Sequence, residues 1–505
     1  MLASGTIGLS CASQPPEKTR RGARTHSTNR QLMTVTQVAL RPTEASNAAN
    51  RPALTPELLA ASGARYSRSN DGLQAILSKI DPNNLDKSVD GIFKMIDYGH
   101  QSIADMAPVA MFIDELSIHL AYYVWTLVPT AGGQESSTRY IRLSADSLPS
   151  AATFGIPNSD ADEWRGLMAD SFQAYLDAVA LWESVAAAIP DVTRIPRSLL
   201  EDSSTKAQKT VARMQRNYAF DRARYFLPVA AATNMMLIMS ARGWVTLCQS
   251  LLSHPLPEAV RLGELIRQEL AIAAPRMLRH ATEKPSFVQG LRREFARLQQ
   301  DAIAAESPYL LADSPLAEHP PTPHLAVMPP PDVDEAMLME DLADHDNRYS
   351  FVGERLKRVA VRFWWDAMAM GEIRDLNRHR TGTKSVPLRP VGFYAALDQW
   401  PQQLRDSEQY KQLCQLEQIG KNGTRRAYQL LRNGDHSHPY WTLLGTQYPF
   451  EHTTTADKFL YEAELRTGTG AHYRYARHLH EALQLWYQHY PATCGVILEG
   501  SAEPE

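Results

Sequence analysis

Cysteine, charge of one sign and long apolar runs are all scarce in this chain. Four cysteines occur in 505 residues and none forms a C-x-x-C pair, which argues against a disulfide framework and a zinc knuckle and favours a cytoplasmic protein. No run of about 18 apolar residues is present, so we expect no membrane span. The net charge of -4 gives no basic field for nucleic acid. With membrane and nucleic-acid partners excluded, we expect the partners to be small molecules.

The chain does have enough apolar material for large cores. Its hydrophobic fraction is 44% and its charged fraction 21%, as in globular proteins. Its length exceeds the roughly 250–300 residues at which a single core stops growing, so two domains are expected. Prolines crowd the segment between Ser314 and Asp332, and this density predicts an extended connector with little packed structure.

The predicted organisation is two helix-rich domains on either side of that connector. The segments are a tail and irregular lead-in over 1–84 that is mostly disordered over 1–50, a first domain over 85–310, a linker over 311–335, a second domain over 336–492 and a tail over 493–505. The segment 1–30 is rich in Ser, Thr and Arg. It is typical of a transit peptide, or of a disordered tail or an upstream extension before a start at Met33.

Apolar periodicity predicts helices in both halves. Besides one short helix after Thr55 and one from Leu85, they lie at 102–127, 160–189, 198–218, 235–252, 257–274, 333–344, 354–377, 402–431, 455–465 and 471–487. The two halves follow the same order, which prompts a search for a repeat. Phe363 follows Phe112 at the same separation as Thr381 follows Thr130. We interpret this shared order and spacing as a duplicated domain.

In the second half, Arg378, His379, Arg380 and Thr381 follow one another at the end of a predicted helix. Guanidinium groups match phosphates and ring carbonyls, and clustered arginines need an anion or an electron-rich ring nearby. Taken alone, such a triplet is also typical of a solvated helix end.

In the first half, two polar clusters lie at helix boundaries: Gly99-His100-Gln101-Ser102 and Gln134-Glu135-Ser136-Ser137-Thr138-Arg139-Tyr140. Free N–H groups at a helix start could hold a phosphate, and Ser137 with Arg139 could bind the same anion. An ordinary N-cap and a polar turn are the alternatives.

Together these segments resemble the signature of the flavin-dependent thymidylate synthases, in which G-H-x-S precedes R-H-R-T/I and then S-x-R-Y. In that family the R-H-R end serves the flavin, and the S-x-R-Y end binds the phosphate of deoxyuridine monophosphate (dUMP). The two ends are divided here. The first half reads Leu127-Val128-Pro129-Thr130 at the flavin end, and the second half has Leu388 and Pro390 at the nucleotide end.

Two further family elements follow the same division. The A-R-x-x-L-P stretch resembles Ala223–Pro228 in the first half, whereas its counterpart Tyr440–Gly445 lacks the arginine. The L-R element resembles Leu465-Arg466, with His472 after it, whereas the first half has Leu251. The separation from Leu227 to Leu444 is nearly equal to that from Leu251 to Arg466, so the two elements stay close to one register.

The resemblance implies an α+β, helix-rich fold in which two tandem domains form a pseudo-dimer with one composite site. Fused chains would associate further as a homodimer equivalent to the family's tetramer. The implied dUMP ligands are Glu135, Ser137, Thr138, Arg139, Arg224 and Arg378. The implied FAD ligands are His100, Ser102, Arg378, His379, Arg380 and Thr381. Arg466 is the implied catalytic residue, stabilising charge on the uracil, and no metal site is implied. Departures from the family are Asp105, Ser240 and Thr455-Ala456-Asp457.

The activity this resemblance implies is reductive methylation of dUMP to dTMP, with FAD as cofactor and NADPH and methylenetetrahydrofolate as co-substrates. None of the four cysteines lies in these motifs, which fits a route without cysteine attack. The alternatives are a flavoenzyme of this fold acting on another uracil nucleotide, and a non-catalytic nucleotide-binding or scaffold protein.

Overall fold

Two antiparallel sheets with helices packed around them make up this α+β fold. The computed structural model describes residues 32–501 apart from 71, 82–83, 98–100, 140–142, 144, 146–147 and 306–320. Of the tail predicted to be mostly disordered over 1–50, residues 1–31 lie outside the described residues, whereas Thr34–Val38 forms a strand and Glu44–Ala48 a helix. Within them, no helix is both long enough and apolar enough to span a membrane.

The first sheet has four strands in the order β1-β2-β4-β3. They are β1 (Thr34–Val38), β2 (Pro108–Ser117), β3 (Gly132–Glu135) and β4 (Ala232–Ser240). A bulge interrupts the pairing of β2 with β4 between Ile113 and Leu116. Such a bulge bends the strand at a fixed position.

The second sheet repeats this order as β5-β6-β9-β7, with β8 also paired to β9. Its strands are β5 (Pro323–Met328), β6 (Ala360–Ala369), β7 (Thr383–Ser385), β8 (Gly392–Phe393) and β9 (Thr446–Thr455). Its central pair carries a bulge between Trp365 and Met368, which has the same spacing as the bulge of the first sheet. Four strands of the second sheet therefore follow the order of the first sheet, and β8 is additional.

The helices lie before, between and after these strands. In the first half they are α1 (Glu44–Ala48), α2 (Pro56–Tyr66), α3 (Leu73–Leu77), α4 (Leu85–Asp97), α5 (Ser102–Asp105), α6 (Ile118–Leu127), α7 (Ala161–Ala188), α8 (Arg197–Leu200), α9 (Thr205–Ala223), α10 (Ala241–Leu252), α11 (Pro257–Ala273) and α12 (Pro285–Ala304). In the second half they are α13 (Glu335–Asp341), α14 (Glu354–Arg358), α15 (Met370–Leu376), α16 (Glu408–Arg432), α17 (Ala456–Thr467) and α18 (Tyr473–His489).

Three predicted helices are wrong over part of their length. The segments 102–127, 235–252 and 354–377 each contain a central strand, β2, β4 and β6. Their buried apolar runs suit a helix or a strand equally, and only pairing across the sheet decides between them. The predictions for α7, α11 and α16 are confirmed, while α12 was missed.

The predicted connector and terminal segments contain more packed structure than expected. Within 311–335, Pro323–Met328 pairs with β6 as an edge strand, where a first-position proline costs no ladder hydrogen bond. In the lead-in, β1 pairs with β2. In the tail, Ile497 is buried and the Ser501 N–H donates to the Thr467 carbonyl over 2.9 Å.

A short antiparallel pairing joins the two halves. Pro228 and Leu443 form a single bridge, flanked by Leu444 N–H to Leu227 carbonyl, 2.9 Å, and Val229 N–H to Thr442 carbonyl, 3.1 Å. The bridge is antiparallel, with one of these two hydrogen bonds on either side of the Pro228–Leu443 pair. Buried residues of both halves form one core, and Met33–Glu505 forms one compact unit.

The registers of the two sheets differ from two correspondences drawn from the sequence. Matching the two bulges makes Trp364 the counterpart of Phe112. Phe112 is 45% exposed while Phe363 is fully buried, so those two face opposite sides of their sheets. Matching the bulges also aligns Met235 with Phe450, the strand partners of Ile113 and Trp365, and extending that register back along the chain aligns Leu227 with Thr442. The counterpart of Arg224 is therefore Pro439.

Candidate functional site

Arg139, which follows β3, connects the first half to the second. Its Nε and Nη2 donate to the carboxylate of Asp221 at 2.8 and 2.7 Å. Its Nη1 faces the Gly470 carbonyl at 3.2 Å and the Tyr475 hydroxyl at 3.4 Å. This arginine is thus held in a bidentate pair at the boundary between the halves.

Arg224 begins a 3₁₀ turn directly after α9 and is buried. Its Nη1 donates to Asp375 Oδ2 in the second half over 2.9 Å. Its Nε and Nη2 have no hydrogen-bond partner among the described residues. Two unpaired buried donors on a guanidinium require an acceptor, which a ligand could supply.

Asp375, on α15, lies among four arginines. Burial would raise the pKa of its carboxyl, but Arg224, Arg378, Arg139 and Arg466 together hold that pKa well below its usual range. These four guanidiniums, with the carboxylates of Asp375 and Asp221, leave a formal excess of two positive charges. We call these six residues the arginine cluster.

Arg466, on α17, contacts the R-H-R segment. Its Nε donates to His379 Nε2 over 2.6 Å and its Nη2 to the Asp375 carbonyl over 3.1 Å. Its guanidinium also lies over the Tyr475 ring. Burial is the main cause that lowers the pKa of His379 to about 4, although Glu462 opposes the shift. His379 is therefore a neutral acceptor at neutral pH.

The two arginines beside His379 face outward. Arg378 and Arg380 are exposed, and the guanidinium of Arg380 lies 5.3 Å from the ring centre of Trp125 in the first half. The Thr381 carbonyl accepts from His452 Nε2 over 2.7 Å. The following Gly382 has φ 66°. The segment thus presents two cations to solvent and anchors itself by its backbone.

Two further carboxylates, those of Glu135 on β3 and Glu372 on α15, are buried. Glu135 forms an ion pair with Arg374, and both side chains are buried. Glu372 accepts from the Tyr225 hydroxyl over 2.6 Å and from the Ala369 N–H over 3.0 Å. Burial raises the pKa of Glu372 to about 7. Glu135, expected to contact a nucleotide, is thus engaged by the protein itself.

The structure brings some of the predicted site residues together and not others. Arg224 contacts the carboxylate of Asp375 and Arg466 its backbone carbonyl, while Arg139 and the exposed Arg378 act on that carboxyl through their charge. The Ser137 hydroxyl accepts from the Arg139 N–H over 3.2 Å, and Thr138 is buried. Ser102 begins α5 and has no hydrogen bond to the cluster within the described part of the chain. His100 lies outside the described residues.

Sequence reasoning missed Asp221, Asp375 and Tyr475. A positional signal existed for the two acids, since each lies three residues before an arginine of a motif, Arg224 or Arg378. On a helix, residues three apart share a face. An acid at that spacing is a candidate neighbour of the motif arginine.

Comparison with known proteins bears on the resemblance drawn from these motifs. The family model "Thymidylate synthase complementing protein" matches residues 53–276, a range that holds Arg139 and Arg224. The resemblance to that family is therefore confirmed, and the matched range is the first half of the chain.

Two individual proteins are also similar. The UPF0159 protein Ta1429 of Thermoplasma acidophilum is 24% identical over 452 residues, covering 81% of this chain and 88% of that protein. The crystal structure of a UMP/dUMP methylase, PolB from Streptomyces cacaoi, bound with 5-Br dUMP, is 15% identical. It covers 50% of this chain and 95% of its own, with a TM-score of 0.30. That score is too low to identify a shared fold.

Proposed function

We propose that this chain is a flavin-dependent thymidylate synthase-like enzyme that methylates dUMP to dTMP at a composite site between its halves. One observation carries the proposal. Arg139 and Arg224 from the first half meet Asp375 and Arg466 from the second. The three arginines are motif residues that the sequence divides between the halves.

The excess charge of the arginine cluster suits a phosphate monoester. Its two surplus positive charges would balance a phosphate dianion, and the unpaired Nε and Nη2 of Arg224 offer two parallel donors. Arg139 would contribute charge while its fork stays on Asp221. In this proposal Arg224 is the principal phosphate ligand.

Arg466 would act on the uracil ring. Because His379 and the Asp375 carbonyl fix its guanidinium, it needs no reorganisation to face negative charge that develops on the base. A protein nucleophile is not required. Burial raises the pKa of Cys248 to about 12, so this thiol is unsuited to attack.

The R-H-R segment would hold FAD. Exposed Arg378 and Arg380 beside neutral His379 suit a planar, anionic cofactor, and the unpaired Nδ2 of buried Asn377 is a further donor near them in sequence. When bound, FAD would supply hydride, with NADPH and methylenetetrahydrofolate as co-substrates. Asp457 stands where the family has an arginine that contacts the flavin. Arg378 and Arg380 would therefore contribute more of the affinity for FAD.

The matching strand orders and bulges support a tandem duplication in which the halves form a pseudo-dimer. The repeated units would then be the predicted domains at 85–310 and 336–492, extended to include β1 and β5, and they would share one core. Further association of two chains, equivalent to the family's tetramer, belongs to the same proposal.

A non-catalytic nucleotide-binding protein is the second candidate, and one observation favours it. Both carboxylate oxygens of Asp221 occupy the fork of Arg139, as in a purely structural ion pair. Such a protein would bind dUMP without a flavin.

The visible spectrum of the purified protein, with FAD added and then titrated with dUMP, tests the proposal. We expect a flavin band that dUMP perturbs, lost in Arg378→Ala and kept in the control Arg405→Ala, since Arg405 is exposed elsewhere. Methylation of dUMP to dTMP, together with no methylation of UMP, identifies dUMP as the substrate. A colourless protein that still binds dUMP would favour the second candidate, and no binding of either would overturn both.

A further inference from the structure

The backbone of the R-H-R segment is held by two side chains of the second sheet. Nε2 of His452, on β9, donates to the Thr381 carbonyl over 2.7 Å. The ammonium of Lys384, on β7, donates to the carbonyls of His379 and Thr381. His452 and Lys384 are cross-strand partners. Two neighbouring strands thus fix the same short stretch of backbone.

A buried carboxylate lies behind His452. Glu462, on α17, has no exposed surface, and its Oε2 is 3.1 Å from Nδ1 of His452. Its Oε1 has no hydrogen-bond partner among the described residues. A carboxylate that has lost its water and makes so few hydrogen bonds needs cationic neighbours to stay ionised.

The two ring nitrogens of His452 both face acceptors. Nε2 faces the Thr381 carbonyl, and Nδ1 faces the Glu462 carboxylate. From β6, the ring meets only the apolar face of Phe363, at 4.9 Å between ring centres. A neutral imidazole carries one N–H, so a ring that faces acceptors at both nitrogens suits the imidazolium form. The geometry therefore matches an imidazolium with a carboxylate.

The other titratable groups around Glu462 agree with this pairing. Burial would raise the pKa of its carboxyl, but His379, His452 and Lys384 together lower that pKa to about 2. His379 is not the cation, because its Nε2 accepts from Arg466 Nε over 2.6 Å. The positive charges beside this carboxylate are therefore those of His452 and Lys384.

The first half offers an internal comparison for this pair. His452 lies four residues before the first residue of α17, and Leu237 lies four residues before the first residue of α10. Their cross-strand partners are Lys384 and Gly133. In the half without the R-H-R triplet, the histidine and the lysine are thus replaced by a leucine and a glycine.

The carboxylate is replaced in the same way. Helices α10 and α17 each have 12 residues, and Leu247 holds the place in α10 that Glu462 holds in α17. Leu237 and Leu247 are both buried. Since two leucines suffice to pack this strand against this helix, the fold alone does not require a buried ion pair here. The pair beside the R-H-R segment needs another reason.

We propose that Glu462 and His452 are positioning residues for the R-H-R segment. Glu462 keeps the His452 ring doubly protonated, and that ring fixes the Thr381 carbonyl. Arg378 and Arg380 are thereby held where they face the flavin. Neither positioning residue touches the cofactor. This role rests on the proposed function, in which the R-H-R segment holds FAD.

FAD binding at pH 7, followed by quenching of flavin fluorescence, tests this role. We expect Glu462→Gln to weaken binding about tenfold, because a charge-assisted contact behind the segment is lost. The double variant Glu462→Leu with His452→Leu copies the pair of the first half. It should keep the melting temperature of wild type, since apolar residues can replace a buried ion pair, and should weaken FAD binding at least as much.

Glu417→Gln is the matched control. It breaks another buried ion pair of the second half, with Lys421 on α16, and should leave FAD affinity unchanged. Equal weakening of FAD binding in this control would assign the effect to lost stability and would overturn the positioning role.

Nitrogen NMR of the histidine rings gives a signature that packing alone would not move. Wild type at pH 7 should show His452 protonated at both nitrogens. In Glu462→Gln the ring should lose its second proton at a pH about one unit lower than in wild type, because an opposite charge is removed. FAD affinity should fall with rising pH in step with this ring in both proteins.

The outcomes separate this role from the proposed function. A neutral His452 ring in wild type at pH 7, or full FAD affinity in the double leucine variant, would overturn the positioning role and leave the proposed function intact. If wild type binds no FAD, the proposed function fails and this role fails with it, whatever the NMR shows of the ion pair.

Discussion

The guanidinium of Arg224 and the carboxylate of Asp375 meet across the boundary between the halves, with Nη1 and Oδ2 2.9 Å apart. Both residues are buried. Three other arginines lower the pKa of the same carboxyl, so this pair is the electrostatic centre of the arginine cluster.

Removing this carboxylate should destabilise the protein. We expect Asp375→Ala to lower the free energy of unfolding by about 3–5 kcal/mol, because a buried guanidinium loses its partner. Asp375→Asn should cost less, since an acceptor remains. Urea unfolding at pH 7 measures both.

The same pair predicts an acid dependence. Because the folded pKa of Asp375 is depressed, its contribution to stability is present above its unfolded pKa of about 3.9 and is lost as the pH falls toward the folded value. The deficit of Asp375→Asn relative to wild type should therefore shrink below about pH 4. A deficit that stays constant down to pH 2 would contradict this account.

Glu372 should show the opposite pH dependence. Its folded pKa is raised to about 7, so the folded state favours the neutral acid and loses stability as the pH rises from about 4.3 to 7. The loss is on the order of 3 kcal/mol. Glu372→Gln should remove it and be at least as stable as wild type at pH 8, measured by chemical denaturation.

Glu258 is the matched control for Glu372. It accepts from the Tyr440 hydroxyl over 2.7 Å, and Tyr440 is the counterpart of Tyr225. Burial also raises its pKa. Glu258→Gln should therefore keep the loss of stability that Glu372 causes as the pH rises. If Glu372→Gln and wild type show equal pH profiles of stability, Glu372 is not the cause of that loss.

Gly382 should be needed for the R-H-R segment. Its φ is 66°, and a Cβ there would lie 2.1 Å from the Thr453 carbonyl oxygen. Gly382→Ala therefore combines left-handed strain of about 1–2 kcal/mol with a backbone clash, and should lower both stability and flavin occupancy. Gly470→Ala, at φ 80° with nothing within 4 Å, should show the strain alone. Equal melting temperatures for the two variants would sink this explanation.

Asp221 should limit anion binding. Asp221→Asn adds one positive charge to the arginine cluster and weakens the hold on the fork of Arg139, so dUMP should bind about tenfold more tightly at low salt. The control Asp341→Asn disturbs the ion pair of another buried aspartate, with the partly exposed Arg355, away from the cluster and should not change dUMP affinity. Tenfold weaker binding by Asp221→Asn would instead assign Asp221 to positioning Arg139 for the ligand.

Sequence patterns predicted the helices better than the sheets. Helix α7 was predicted within one residue at each end, because its apolar residues recur at helical spacing over a long stretch. Strands β2, β4 and β6 were read as helix, because each is a short, largely apolar segment whose state is decided by a partner strand distant in sequence. The correspondence of the bulge at Ile113 with the bulge at Trp365 was also missed, because a bulge depends on pairing with a strand distant in sequence.

The sequence by itself determined which chemical groups each half retains. Arg139 and Arg224 in one half, with Arg378, His379 and Arg466 in the other, are identities that need no coordinates. Only the tertiary structure decided that Arg224 pairs with Asp375 across the two halves and that Asp221 occupies the fork of Arg139. Burial and contacts between residues 82 to 336 positions apart depend on how the whole chain packs, and no local pattern encodes that packing.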